Sequence, residues 1–140
     1  MPIVSDMMTT EPCTLATGAT LVEAARVMRD RDVGDVIVID DDGRVQGLVT
    51  DRDITVRAIA DGRDPAATAV QEVCTDEPVT VGPDAEVGEV VRLMRDHAVR
   101  RIPVVADGGQ PVGLVSLGDL AREFDRTSAM ADIAEQPPTS

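Results

Sequence analysis

Apolar residues change their spacing along the chain in a fixed order, and the same order occurs twice. Leu21, Ala24, Ala25 and Met28 recur at helical intervals, as do Val87, Val90, Val91 and Met94. Such spacing puts each set on one face of a helix. Thr20 and Glu23 add a capping box at the start of the first. The β-branched runs Val36–Ile39 and Ile102–Val105 are each followed by a turn rich in Asp and Gly, Asp40–Gly43 and Asp107–Gly109. A second apolar run comes next, Val45–Val49 and Val112–Val115. This pattern predicts two strands joined as a hairpin. A short extended piece precedes each first helix (Cys13–Leu15; Val79–Val81), and a second helix follows each hairpin, near Arg52–Ala60 and Gly118–Asp125. Each half therefore reads β-α-β-β-α.

The two halves are copies. Val4–Arg57 aligns on Val70–Glu123 at a shift of 66 residues without a gap, and 19 of the 54 paired positions are identical. TTEPCT (Thr9–Thr14) meets TDEPVT (Thr75–Thr80), EAARVMRD (Glu23–Asp30) meets EVVRLMRD (Glu89–Asp96), and GLVTDRDI (Gly47–Ile54) meets GLVSLGDL (Gly113–Leu120). Self-similarity at a fixed shift marks a tandem duplication. The expected organisation is repeat 1 over residues 1–60, a Gly/Pro/Ala-rich linker over 61–69, repeat 2 over 70–126 and a frayed tail over 127–140. One such unit has a small sheet with an exposed apolar face, which a second unit can cover. The fold class expected is α/β (α+β), with two pseudo-symmetric repeats packed through their sheets.

Composition narrows the function. The chain has 140 residues, 43% of them hydrophobic and 28% charged, as in a soluble globular protein. It lacks a run of roughly 20 apolar residues that could cross a membrane. MPIVSDMMTT has neither the basic nor the long apolar region of a signal peptide, so the expected location is cytoplasmic. Net charge is −13, and all 13 basic residues are arginine. So acidic a chain repels a phosphate backbone, and with a single Phe and no Trp or Tyr it has no stacking platform. Nucleic acid is therefore not an expected partner. His97 is the only histidine, too little for a triad or a His-based metal site; an enzyme is not expected. Cys13 and Cys74 are not equivalent between repeats, since Cys13 aligns with Val79 and Cys74 with Met8. They read as buried inert thiols or as a redox pair. Asp40–Asp42 precedes Gly43 and reads as a solvated turn rather than a cation site.

GLVTDRD (Gly47–Asp53), GLVSLGD (Gly113–Asp119) and RRIPVV (Arg100–Val105) each fall at the corresponding place in a β-α-β-β-α unit. In this the chain resembles a pair of CBS domains, the tandem arrangement called a Bateman module, over nearly its whole length. It is similar in particular to stand-alone bacterial CBS pairs, some of which accumulate in actinobacteria under hypoxia or dormancy. The resemblance implies a regulatory module that binds an adenosine compound, such as AMP, ADP or ATP, and has no resident cofactor. It further implies a homodimer and an unknown protein partner. The apolar helix faces Leu21–Met28 and Val87–Met94 also suggest a surface for a second copy. The alternative is a ligand-independent dimeric interaction protein of a stress or dormancy response.

The resemblance also nominates site residues. The family's pattern places a hydroxyl and a carboxylate at the entry to the last helix, where the carboxylate can accept hydrogen bonds from ribose hydroxyls. It falls on Thr50 with Asp53 and on Ser116 with Asp119; the competing reading is helix capping. Arg100 and Arg101 match basic positions that point at phosphate, or form a salt-bridged pair on an acidic surface. Val33 and Val99 match positions that pack on adenine from the opposite repeat, or belong to the core. Repeat 1 has Gly34–Asp35 where repeat 2 has Arg100–Arg101, and a carboxylate repels phosphate. Binding is thus expected to be asymmetric. The favoured cleft would hold Ser116, Asp119, Arg100, Arg101 and Val33, and the cleft of Thr50 and Asp53 would be poor for an anion.

Overall fold

The computed structural model describes residues 2–125; the expected tail over 127–140 lies outside the described residues. In chain order the elements are β1 (Thr9–Thr10), β2 (Thr14–Ala16), α1 (Leu21–Arg31), β3 (Asp35–Ile39) and β4 (Val45–Thr50). Next come α2 (Asp51–Asp53, continued in π-helical form over Ile54–Ile59), β5 (Thr75–Asp76), α3 (Val87–His97), β6 (Arg101–Val105) and β7 (Pro111–Ser116). The last element is α4, residues 117–125.

The helices start and stop for local reasons. Thr20 Oγ1 accepts the Glu23 N–H at 3.2 Å while the Glu23 carboxylate accepts the Thr20 N–H at 3.4 Å, the capping box read from the sequence. At the other end Asp32 (φ 53°) and its counterpart Ala98 (φ 54°) take the left-handed conformation and close α1 and α3. Leu21, Ala24 and Met28 of α1 pack on Val36, Val38 and Val49, and Val90 and Met94 of α3 pack on Ile102, Val104 and Val115. Leu21, Ala24 and Met28 of α1 and Val90 and Met94 of α3 are therefore covered within the chain, while Val91 of the same α3 face stays exposed. Burying large aliphatic side chains at about 1.5–3 kcal/mol each satisfies those positions locally. Among the described residues, the outward-facing large apolar ones are Val56, Ile59, Val91, Leu117 and Phe124.

The sheets are not built from single repeats. One has the order β2-β3-β4-β5 and the other β1-β7-β6. β5 comes from repeat 2 but pairs with β4 of repeat 1, while its counterpart β1 pairs with β7 of repeat 2. The exchange extends to the cores. Val4 is buried among repeat 2 residues, and Val70 among repeat 1 residues. Backbone bonds from Val4 N–H to the Ala85 carbonyl (2.8 Å) and from Val70 N–H to the Ala19 carbonyl (2.7 Å) fix the crossing segments. Within the stretch read as a linker, Thr68 is buried and donates its hydroxyl to the Asp64 carbonyl at 2.8 Å.

Repeat 2 departs from repeat 1 at one strand. Ile37 N–H donates to the Cys13 carbonyl at 2.9 Å. The counterpart of Ile37 is Pro103, which has no N–H to give. The extended piece expected at Val79–Val81 consequently shrinks to an isolated bridge between Val81 and Val104.

Both faces of each sheet are covered. The register pairs Asp35 with Thr50 and Ile37 with Leu48, and likewise Arg101 with Ser116 and Pro103 with Leu114. Directly paired residues share a face. Ile37, Leu48 and Leu114 form an apolar cluster between the repeats, so the repeats meet sheet to sheet as expected. The same face carries Asp35, Thr50, Arg101 and Ser116 to the ends of this seam.

Candidate functional site: two clefts across the seam

Two clefts open on the seam, and each combines one repeat's hydroxyl–carboxylate motif with the other repeat's loop before its first hairpin strand. Thr50, Asp53 and Leu48 line one together with Pro78, Val79, His97, Val99, Arg100 and Arg101. Ser116, Asp119 and Leu114 line the other with Pro12, Cys13, Val33, Gly34 and Asp35. Val33 thus stands with Asp119, and Val99 with Asp53.

The pairing corrects the expected asymmetry. Arg100 and Arg101 serve the cleft of Thr50 and Asp53, not that of Ser116 and Asp119. Gly34 and Asp35 are the residues that face Asp119. The reason is the face-to-face packing: the loop leading into β6 stays bonded to its own partner strand's end, with Leu117 N–H donating to the Arg100 carbonyl at 2.8 Å, but it shares its cleft with the end of β4.

Both motifs cap their helices. Asp53 Oδ2 accepts the Thr50 N–H at 2.9 Å, and Thr50 Oγ1 accepts the Asp53 N–H at 3.1 Å. Asp119 and Ser116 repeat these bonds at 2.9 and 3.1 Å. Capping occupies one oxygen of each carboxylate. The second oxygen of Asp53 lies 3.8 Å from Arg57 Nε, and that of Asp119 pairs with Arg122. A carboxylate offers about four acceptor positions, so capping leaves each with acceptor capacity.

Charge separates the clefts. The Asp119 cleft also carries Glu11 and Asp32 beside Arg31 and Arg122, four carboxylates against two guanidiniums. Two carboxylates, Asp53 and Glu77, face Arg100 and Arg101 in the other. Arg101 Nε pairs with Asp35 Oδ2 at 2.5 Å. Burial pushes the Asp35 carboxyl above its usual range; Arg101 opposes that rise, and the Asp51 and Asp119 carboxylates add to it.

Residues beyond the motifs complete the rims. Glu11 and Glu77 are equivalent, line opposite clefts, and share a positive φ of 51° and 47°. Their signal in the sequence is the matched TTEPCT and TDEPVT. Arg57 and Arg122 reach the motif carboxylates from non-equivalent positions, so the repeat gives no hint of them. Among the described residues, no group of three or more His, Cys, Asp or Glu side chains could hold a metal ion. No helix there is long and apolar enough to cross a membrane.

Duplicated units, sheet-to-sheet packing and seam clefts define a tandem pair of small α/β domains. The CBS domain profile matches residues 4–58 and 70–126, and the chain belongs to the CBS domain family. Similar relatives include the CBS domain-containing protein YhcV of Bacillus subtilis, 41% identical over 86% of this chain and 84% of that one. Hypoxic response protein 1 of Mycobacterium tuberculosis is 34% identical over 89% of this chain and 86% of its own. Among solved structures, the CBS pair of protein MJ0100 in complex with 5′-methylthioadenosine and S-adenosyl-L-methionine superposes with a TM-score of 0.80. It is 26% identical, over 88% of this chain and 99% of that one.

Proposed function

We propose that the chain is a sensor module that takes a phosphorylated adenosine compound, of the AMP, ADP or ATP type, in the cleft of Thr50 and Asp53. The observation that carries this reading is the convergence of a ribose-type acceptor pair, an apolar wall and two arginines in that one cleft. Asp53 would accept from the ribose hydroxyls, Val99, Leu48 and Val79 would flank the base, and Arg100 and Arg101 would meet the phosphate. The MJ0100 pair, which binds adenosine-containing ligands, supports the ligand class. A ligand there touches both repeats, so its binding free energy biases their relative packing, and the readout passes to a separate protein by population shift.

The module acts in the cytoplasm as a homodimer. Exposed Val91 and Leu117, which share a groove with Met94 and Val99, supply an apolar face for the second copy. Light scattering should give twice the chain mass of 14.8 kDa; a monomer at tens of micromolar would remove the dimer. The second reading, a ligand-independent interaction protein, is favoured by the capping bonds that already engage both motif carboxylates.

A thermal-shift screen against adenosine compounds tests the choice. A ligand at about 100 times its Kd adds about 2.7 kcal/mol, a rise on the order of 5–10 °C for a domain of this size. A flat response to AMP, ADP, ATP and adenosine alike would leave the interaction protein.

A further inference from the structure

Asp35 and Arg101 are equivalent positions of the two repeats, 66 residues apart. A residue touches its own counterpart only at the pseudo-twofold axis, so their ion pair lies on that axis, between the two clefts. Its two members belong to different clefts, Arg101 to that of Asp53 and Asp35 to that of Asp119. Any ligand that recruits one of them changes what the other faces.

We propose that Asp35 sets the charge of what the module binds and couples its two clefts. This rests on the adenosine-sensing reading above. In the empty protein Asp35 holds the Arg101 guanidinium across the axis. A phosphate in the Asp53 cleft draws on Arg101 in competition with Asp35, so a phosphorylated ligand binds against that pair and an uncharged nucleoside leaves it intact. Once Arg101 turns to phosphate, Asp35 faces the Asp119 cleft without its partner. The Asp51 and Asp119 carboxylates act on it there. Gly34 lets Asp51 come close, since a Cβ at 34 would stand 3.0 Å from Asp51 Oδ2. A second anion is then repelled, and a neutral or cationic adenosine compound is admitted. The module takes one phosphorylated ligand per chain, and filling the first cleft raises the second cleft's preference for positive charge.

Calorimetric titration with AMP and with adenosine tests this on the wild-type protein, Asp35→Asn and Asp53→Ala. The wild type should bind a single AMP per chain. Asp35→Asn frees Arg101 and neutralises the other cleft, so AMP should tighten about tenfold, as for loss of a competing charged hydrogen bond. A second AMP should also bind, while adenosine binding in the first cleft stays unchanged. Should Asp35→Asn lose its circular dichroism spectrum, Arg101→Gln carries the test: AMP should fall toward adenosine in affinity, with still no second AMP. Wild-type affinity and stoichiometry in Asp35→Asn, with binding lost in Asp53→Ala, would overturn the coupling and leave the sensing reading intact. No binding of either compound to the wild type would overturn both.

Discussion

Cys74 occupies in one half the place that Met8 occupies in the other, and both press on the glycine that opens a G-L-V motif. A Cβ on Gly47 would stand 2.6 Å from Cys74 Sγ and 3.0 Å from the Thr75 carbonyl. Burial raises the Cys74 thiol to about 11, and the Asp76 carboxylate at 3.5 Å contributes. An unfolded thiol titrates near about 8.5. Between those values the folded state binds more protons than the unfolded one, so stability falls as pH rises through the window. The chain has no lysine and no tyrosine, so neither side chain masks the Cys74 contribution there. Denaturant unfolding from pH 8 to 10.5 should lose on the order of 2 kcal/mol in the wild type, and Cys74→Ala should flatten that slope. An unchanged slope in Cys74→Ala would reject the assignment. Ala98, a non-glycine residue in the left-handed region, offers a gain: Ala98→Gly should add about 0.5–1 kcal/mol, and a lower melting temperature would contradict this. Candidate residues were legible singly because short motifs name them. Their grouping was not. Val33 and Val99 were expected to act across the seam, yet Arg100 and Arg101, contiguous with Val99, were assigned to their own repeat. Chain continuity alone carries all three residues to the same cleft.

Helices and hairpins followed from periodicity because each buries a face against its own neighbours in sequence. β1 and β5 did not, since a two-residue strand has no period to read. What defines them is a partner strand in the other repeat: Thr9 pairs with Leu114 and Thr75 with Leu48. Val4 shows the consequence. It lies near the chain start but is fully buried among repeat 2 residues. Val4→Ala should therefore destabilise the whole protein by about 2 kcal/mol in urea unfolding. A loss below ~0.5 kcal/mol would mean that the crossing segment is not part of the core. Pro103 was read as part of a strand, and it is one, yet it costs the sheet the bond that Ile37 makes in the other half. Proline is tolerated there because β6 ends its sheet.

At the scale of the whole molecule, duplication supplies two equivalent clefts and substitution makes them unlike in charge. The Gly34–Asp35 and Arg100–Arg101 contrast was visible in the sequence, and it falls on opposite clefts. The direction reverses because sheet-to-sheet packing hands each loop to the opposite motif. The most direct measurement is AMP titration of Asp53→Ala beside Asp119→Ala. Removing a charged acceptor costs about 1.5–3 kcal/mol, so Asp53→Ala should weaken AMP by roughly tenfold to a hundredfold. Asp119→Ala should leave AMP within about twofold of the wild type. Loss of AMP in Asp119→Ala with binding kept in Asp53→Ala, or equal losses in both, would contradict the assignment of the phosphorylated ligand to the cleft of Arg100 and Arg101.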